Sequence, residues 1–301
     1  MKLSRERIDL WVGSFLVLLS AITFSSKAIF VKLYYRVEID VLSALFLRMI
    51  FALPFFVLAL LIDKIRRQTP PLEKKDKIWI VFLGFFGYYL SSYLDFQGLT
   101  LISASLERLI LFSYPTLVVI LSFFVFKTPI TKKEVISLSL TYTGIGIVFY
   151  SEDILKSSEK WEGALYVFLC AITYSIYLLG SGKMIKRVGS VRFTNTSMIV
   201  ACVFVIFHYL LVKGMPVLES FSKDEYTIGF LMAIFSTVIP SYLLFWGMKK
   251  IGSEKAAIIN SIGPVSTIAM AYCILDEQVK WQEFPGVILI ILGVLWISFR
   301  K

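Results

Sequence analysis

Ten long runs of apolar residues follow one another along the chain, separated by short polar segments. A helix needs about 20 mostly apolar residues to cross a bilayer, and the runs lack the alternating polarity of membrane strands. The pattern therefore predicts an all-α integral membrane protein with ten transmembrane helices. The predicted spans are 10–31, 41–62, 78–98, 106–126, 134–150, 162–182, 193–212, 227–247, 256–275 and 282–299.

The composition agrees with a bilayer as the main solvent. Hydrophobic residues make up 57% of the chain and charged residues 17%, whereas a typical soluble domain has about 25% charged residues. The first apolar run, from Leu10 to Val31, is longer than the core of a signal peptide, so we interpret it as a span. The three cysteines have unrelated spacings, and His208 is the single histidine. The sequence thus predicts no disulfide framework, no metal site and no cofactor.

The distribution of positive charge predicts how the chain is oriented. If the N-terminus is cytoplasmic, the inner segments carry 21 Lys and Arg residues and the outer segments carry 7. Positive residues concentrate on the cytoplasmic side of membrane proteins. We therefore expect a multi-pass protein of the plasma (inner) membrane with both termini in the cytoplasm. The net charge of +10 is explained by this orientation, and no nucleic acid partner is expected.

An internal repeat runs through the sequence. Residues 21–25 (AITFS) recur 150 positions later as residues 171–175 (AITYS). Further matches follow in order at an offset of 149 residues: Ser92 with Ser241, Gly98 with Gly247, Pro115 with Pro264, and Gly144 with Gly293. Several ordered matches at a near-constant offset indicate a duplication, with one repeat in residues 1–150 and the other in 151–301.

Each repeat holds five predicted spans, which is an odd number. The second copy must then enter the membrane from the opposite side, so the sequence predicts two inverted five-helix repeats. Transporters use this arrangement because the two halves can exchange roles and open a central site to each face in turn.

At this point the sequence resembles the EamA domain of the drug/metabolite transporter superfamily, over nearly its whole length. The residues that carry the resemblance are Gly98, Ser103, Ala104, Ser105 and Tyr114-Pro115 in the first half, with Gly247, Gly263-Pro264 and Glu277 in the second. The family's acidic residue at the end of the fourth helix is Glu277 in the second half, but the matching first-half residue is Thr128. The resemblance implies export or exchange of amino acids and related small metabolites across the plasma membrane.

Five charged residues fall inside the predicted spans, all in their outer halves: Lys27, Arg48, Asp95, Glu107 and Arg108. Their counterparts in the second repeat carry no charge. Two interpretations remain open. In one, the five pair with each other in an outer vestibule and bind a charged or zwitterionic substrate. In the other, Lys27 and Arg48 extend to the interface and Glu107 stabilises the first turn of its helix.

The sequence predicts a secondary transporter, not an enzyme, in which a small molecule binds between the repeats. The candidate substrate-binding residues are Tyr88, Glu107, Tyr114, Tyr174, Tyr242 and Asn260, and the candidate helix kinks are at Pro115 and Pro264. A substrate gradient or a coupled proton would drive transport, with Asp95 or Glu107 as the titrating group. The alternatives are an intramembrane lipid-modifying enzyme and a non-transporting sensor or assembly partner. The sequence does not predict an oligomeric state.

Overall fold

The protein is built from helices packed side by side. The computed structural model describes residues 2–67, 72–127, 129–151, 154–215, 221–251, 256, 259–260, 262–278 and 280–298, and no strand occurs within this described part. The helices are α1 (Lys2–Arg36), α2 (Val41–Arg67), α3 (Lys74–Leu101), α4 (Ala104–Phe126), α5 (Lys132–Ser151), α6 (Ser158–Val188), α7 (Ser190–Lys213), α8 (Lys223–Ile251), α9 (Gly263–Leu275) and α10 (Phe284–Ser298).

These helices agree with the all-helical prediction, and each predicted span overlaps one of them. Eight of the described helices, α1 to α8, are long and apolar enough to cross a membrane. The apolar segments Gly263–Leu275 and Trp281–Trp296 are shorter, so the count of ten spans remains a prediction. Thr128 and residues 257–258, 261 and 299 of the predicted ninth and tenth spans lie outside the described residues.

The duplication is visible in the irregular parts of the helices. The π-helical turn Phe85–Leu90 in α3 corresponds to the π-helical turn Ile234–Val238 in α8, at an offset of 149 residues. Lys127, which ends α4, and Asp276, which ends α9, share that offset and a left-handed backbone, with φ angles of 53° and 59°. Such irregularities are not required by a membrane helix as such. Their matched placement therefore supports a common origin for the two halves.

Small residues bring helices of the two halves into close contact. A Cβ atom on Gly247 of α8 would lie 2.9 Å from the carbonyl oxygen of Gly13 in α1, and one on Gly98 of α3 would lie 3.0 Å from that of Gly163 in α6. Within the repeat, Gly13 matches Gly163 and Gly98 matches Gly247. The α1–α8 crossing and the α3–α6 crossing are thus the same contact made twice. Small residues allow this approach, and close packing replaces the hydrophobic driving force that a bilayer lacks.

The crossing of α5 and α10 follows the same rule. A Cβ atom on Gly144 would lie 2.6 Å from the carbonyl oxygen of Gly286, and one on Gly293 would lie 2.9 Å from that of Ser137. These two contacts are also related by the offset of 149 residues. The matched contacts between the two halves therefore include this helix pair.

We expect Gly144→Ala to lower the free energy of unfolding by about 1–3 kcal/mol, since the added methyl group forces the α5 and α10 backbones apart. The matched control is Gly146→Ala in the same helix, where the new Cβ meets no described atom within 4 Å. That control is expected to be neutral or to stabilise by up to about 1 kcal/mol, because alanine favours helix. Thermal unfolding in detergent compares the two, and equal losses would contradict the packing account.

Candidate functional site

Three charged side chains from three helices meet in the interior. The Lys27 Nζ of α1 lies 2.7 Å from the Asp95 Oδ2 of α3 and 3.5 Å from the Glu107 Oε1 of α4. Glu107 has 0% and Asp95 1% of its surface exposed. None of the four carboxyl oxygens has a hydrogen-bond partner among the described residues. One ammonium group thus faces two carboxyl groups, and a proton on either acid would make this ion triad neutral.

Arg48 of α2 is buried close to this triad but bonds to neutral groups. Its Nε donates to the Thr237 hydroxyl at 3.0 Å, and its Nη1 lies 3.5 Å from the Ser92 hydroxyl. The guanidinium also lies over the ring of Phe96, 5.6 Å from the ring centre. Thr237 belongs to the π-helical turn of α8, so Arg48 connects α2 of the first half to α8 of the second.

Arg108 of α4 is the third buried cation. Its guanidinium lies over the ring of Phe24, 5.5 Å from the centre, and its Nη2 lies 3.4 Å from the Ser25 hydroxyl. The Nε atom is buried and has no hydrogen-bond partner among the described residues. Within the same described part, no carboxylate oxygen is paired with Arg108 at 4 Å or less.

These positions decide between the two interpretations for the lysine and for Arg48. Lys27 and Arg48 point at interior partners and are buried, so the expectation that they extend to the membrane interface is wrong. The physical reason is that interior groups on α3 and α8 supply their partners: the Asp95 carboxylate for Lys27 and the Thr237 hydroxyl for Arg48. Glu107 does lie in the first turn of α4, as expected. Pairing among all five groups is incomplete, since both carboxylates face Lys27.

Four aromatic rings continue from the charged cluster across α3, α4 and α6. The hydroxyl groups of Tyr88 and Tyr177 lie 3.0 Å apart. Tyr177 stacks on Tyr174 at 6.0 Å between ring centres, and Tyr174 meets the edge of Tyr114 at 5.3 Å. The side chain of Asn260 hydrogen-bonds to Tyr114. Tyr88, Tyr114, Tyr174 and Asn260 are only partly buried, so part of each side chain remains accessible.

Tyr242 lies apart from this row of rings. Its hydroxyl donates to the Asn195 Oδ1 at 3.1 Å, and its ring lies beside Phe56 and Trp246. The structure thus brings five of the six candidate binding residues into two adjoining groups and leaves Tyr242 in a third. Its place directly after Ser241 in the repeat indicated only that Tyr242 belongs to a repeated segment, not which neighbours it has.

Two helix breaks occur beside the matched prolines. In α4 the segments Ala104–Leu111 and Tyr114–Phe126 are separated at Phe112 and Ser113, and Pro115 is in the first turn of the second segment. Pro264 occupies the same place in α9, directly after the first residue, Gly263. A proline in a first turn removes a backbone N–H that has no partner there. The prolines therefore start new helical segments, whereas the sequence suggested a kink within one helix.

Each break is held by a serine from the opposite half. The Ser25 hydroxyl lies 3.0 Å from the carbonyl oxygen of Gly263, and the Ser175 hydroxyl lies 3.1 Å from that of Tyr114. Each hydroxyl shares its proton between this acceptor and the carbonyl oxygen four residues earlier in its own helix, at 2.7 and 2.6 Å respectively. Both serines end the repeated segment found in the sequence, and both acceptors directly precede the matched prolines. Sequence reasoning did not select Ser25 or Ser175 as site residues. Their position at the end of the repeated segment was the signal that could have found them.

Glu277 has a structural partner in the other half. Its carboxylate accepts hydrogen bonds from the backbone N–H groups of Ala104 and Ser105 at 2.8 and 3.2 Å, and from the Ser105 hydroxyl at 2.9 Å. Ser103 caps the same helix end by accepting from the N–H of Leu106. A helix N-terminus has unpaired N–H groups and a partial positive charge, which a carboxylate satisfies. Glu277 therefore closes the start of α4 from the second half.

A separate open cleft of about 480 Å³ lies at the end of the bundle where α1 joins α2. It contains the ion pair of Asp40 and Lys213, 3.2 Å apart, and it also contains His208, whose Nδ1 lies 3.0 Å from the Tyr89 hydroxyl. His208 is therefore hydrogen-bonded in this cleft. No group of three or more potential metal ligands occurs among the described residues.

Comparison with known proteins gives a consistent result. The profile of the EamA-like transporter family matches residues 11–150 and 161–299. The uncharacterized transporter YcbK of Bacillus subtilis (strain 168) is 28% identical over 96% of this chain and 93% of its own length. The uncharacterized transporter YyaM of the same organism is 25% identical over 75% and 74%. A solved structure, described only as the crystal structure of a protein, has the same fold, with a TM-score of 0.63, 16% identity and 95% coverage of both chains.

We expect Lys27→Met to lower the free energy of unfolding by about 3–5 kcal/mol, because it leaves two facing carboxyl groups buried without their cation. Adding Asp95→Asn should recover part of that loss, since only one acid then remains. Denaturation of the single and double variants in mixed micelles measures both effects. A double variant that is less stable than Lys27→Met would show that Lys27 does not hold the two acids together.

Replacing the capping carboxylate should also weaken the contact between the halves. Glu277→Gln keeps the shape but loses the charge that the start of α4 favours, so we expect a loss of about 1–2 kcal/mol. Asp276→Asn is the matched control, because asparagine tolerates the left-handed backbone there. A larger loss in Asp276→Asn than in Glu277→Gln, measured by thermal unfolding in detergent, would contradict this role for Glu277.

Proposed function

This chain belongs to the EamA-like transporter family, and we propose that it is a secondary carrier of amino acids or other small metabolites that works by alternating access. It is a multi-pass membrane transporter. The proposal adds that it exports or exchanges its substrate across the plasma membrane, with both termini in the cytoplasm. No chemical step is assigned to the protein.

The observation that carries the proposal is the pair of helix breaks held across the two halves. Ser25 of the first half bonds to the break in α9, and Ser175 of the second half bonds to the break in α4. Discontinuous helices at a repeat interface are where carriers bind substrate and coupling ions. Because each half holds the break of the other, a movement of one half changes the environment of both breaks. This reciprocal arrangement supports an exchange of roles between the halves.

We place the substrate beside the breaks, between the ion triad and the row of aromatic rings. Glu107, Tyr88, Tyr114, Tyr174 and Asn260 are the proposed binding residues in this region. Tyr242 belongs to the proposal in a different role, as a contact between α7 and α8 that the substrate reaches only after the halves move. Pro115 and Pro264 keep the breaks in place, since proline cannot continue a helix with a full set of hydrogen bonds.

The proposal keeps ten spans. In α4, two segments separated by a break together make a span of 23 residues. By the repeat, α9 is the second segment of an equivalent interrupted span, and the described residues 256 and 259–260 before it are helical. Residues 281–298 form one short 3₁₀ turn and α10, about 27 Å in length at 1.5 Å per residue. That length approaches the thickness of the hydrocarbon core.

Proton coupling is the driving force that the ion triad favours, with a substrate gradient as the alternative. Two acids share one ammonium group, so a proton on Glu107 or Asp95 changes the charge of the triad without changing its packing. Glu107 is the better candidate, because it lies farther from Lys27 than Asp95 does. A change in the contact between Lys27 and Glu107 would also alter the position of Arg108, the next residue of α4.

Purified protein in proteoliposomes should show saturable counterflow of at least one member of a panel of labelled amino acids and small metabolites. Each variant is compared at equal amounts of folded protein. Ser25→Ala and Ser175→Ala should each slow counterflow severalfold, because each loses a bond to the opposite break. Ser26→Ala is the control, because the Ser26 hydroxyl donates to the carbonyl oxygen of Thr23 within α1. Slower counterflow in Ser26→Ala than in the other two variants would contradict a role for the breaks.

Proton coupling predicts that Glu107→Gln loses the pH dependence of transport driven by a proton gradient, while exchange at equal pH persists. Glutamine keeps the size of the side chain but cannot ionise. The control is Glu38→Gln, which changes an exposed acid between α1 and α2. The measurement is uptake at a series of internal and external pH values. Unaltered pH dependence in Glu107→Gln would exclude Glu107 as the titrating group.

A further inference from the structure

The buried charges of the central region do not balance. Three cations, Lys27, Arg48 and Arg108, face two acids, Asp95 and Glu107, and all five are buried. Both acids lie next to Lys27. The excess is therefore positive whether or not Glu107 carries a proton. An unbalanced charge in a low-dielectric interior is costly unless an ion of opposite charge binds there.

Arg108 is the cation with the greatest unmet capacity for hydrogen bonds. A guanidinium group offers five N–H donors. One of its terminal nitrogens lies 3.4 Å from the Ser25 hydroxyl, and its Nε is buried without a partner among the described residues. Only 7% of the residue is exposed. By contrast, the Nε of Arg48 already donates to Thr237 at 3.0 Å.

The surroundings of Arg108 are suited to a second anion. Its Nη2 lies beside Gly263, the first residue of α9, where a Cβ atom would approach it to 2.8 Å. The first half has Tyr114 at the matching position, so the missing side chain of Gly263 is what leaves room for the guanidinium. The start of α9, a helix of 13 residues, adds a partial positive charge at the same place. Helix starts in broken carrier helices often point at the anionic group of a substrate.

Aromatic surface adjoins this positive region. The ring of Phe24 lies beneath the guanidinium, and the edge-to-face pair of Tyr114 and Tyr174 lies in the same region. Both tyrosines keep accessible surface. These rings can pack against an apolar or aromatic body while their hydroxyl groups remain available as hydrogen-bond partners. Lys27 already faces both carboxylates of the triad, so an ammonium group of a substrate would have to compete with Lys27 there.

We propose that the carrier recognises its substrate by a carboxylate group that binds Arg108 at the start of α9, with an apolar or aromatic body against the adjoining rings. This inference rests on the proposed function and names its substrate class: small monocarboxylates, in which an amino group is dispensable. A planar guanidinium pairs with a carboxylate through two parallel hydrogen bonds. One bound carboxylate also supplies the single negative charge that balances the ionised cluster.

The test compares acids with their own amides. The probes are benzoate, hexanoate, L-leucine and L-phenylalanine, each paired with benzamide, hexanamide, L-leucinamide or L-phenylalaninamide. Binding to the purified wild-type protein is measured as the ligand-dependent rise of Tm in detergent, and transport by counterflow of the labelled acids. We expect at least one acid to bind at least about tenfold more tightly than its amide, as charge-assisted hydrogen bonds predict.

Substitutions then locate the preference. Arg108→Gln should lose the difference between acid and amide, and Arg108→Lys should retain part of it, because lysine keeps the charge but not the paired geometry. Arg48→Gln is the matched control: it removes another buried guanidinium and should leave the preference for the acid in place. If Arg108→Gln does not fold, the wild-type comparison and Arg108→Lys still test the proposal.

The proposal is overturned if the amides bind as tightly as the acids, if no acid in the panel binds, or if Arg48→Gln rather than Arg108→Gln removes the preference. Its failure can be told apart from failure of the carrier function. Counterflow of neutral or cationic compounds, with no preference for acids, would leave the carrier standing and reject the carboxylate site. Binding of acids at Arg108 without counterflow of any compound would reject the carrier and keep the site.

Discussion

Lipid cannot solvate a charge, and this constraint determines where the polar side chains of the protein lie. Five charged groups of the central region are buried, and other helices supply their partners: Lys27, Arg48, Asp95, Glu107 and Arg108. Two acids need a cation, so Lys27 lies between them. The arginines then depend on hydroxyl groups and aromatic rings from elsewhere in the bundle. The hydrogen bonds of Arg48 to α8 and the position of Arg108 against α9 follow from the same requirement.

The backbone is nearly symmetric where the chemistry is not. Matched π-helical turns, helix breaks, left-handed helix ends and glycine crossings relate the two halves, and the serines at the breaks are exchanged between them. The five buried charges of the central region belong to the first repeat, and their counterparts in the second repeat carry no charge. In the proposed mechanism, the symmetric frame lets the two halves exchange positions, and the asymmetric set of side chains gives a single site with a definite polarity. The matched positions Gly263 and Tyr114 are the clearest case. Gly263 has no side chain and leaves room for the Arg108 guanidinium, whereas Tyr114 presents an aromatic ring.

The positions of most helices could be predicted from the sequence, because a membrane-spanning helix must have about 20 mostly apolar residues. The offset of 149 residues also located the breaks and the crossing glycines. The irregular turns at Phe85–Leu90 and Ile234–Val238 could not be predicted, since they depend on how α3 and α8 pack. Nor could the partners of each charge be predicted: Lys27 and Arg48 were equally compatible with the interface. The separation of Tyr242 from the other tyrosines is likewise set by packing against α7.

The central claim is that the two halves separate and rejoin around the site. Glu277 and Ser105 are in contact across the halves at the start of α4, so a reversible cross-link there tests the claim most directly. Ser105→Cys and Glu277→Cys, in a chain carrying Cys273→Ser to remove the exposed native thiol, would be joined by a short bis-methanethiosulfonate reagent. Counterflow should stop on cross-linking and return when dithiothreitol releases the link. Undiminished counterflow in fully cross-linked protein would show that this contact never opens and would contradict alternating access between the halves.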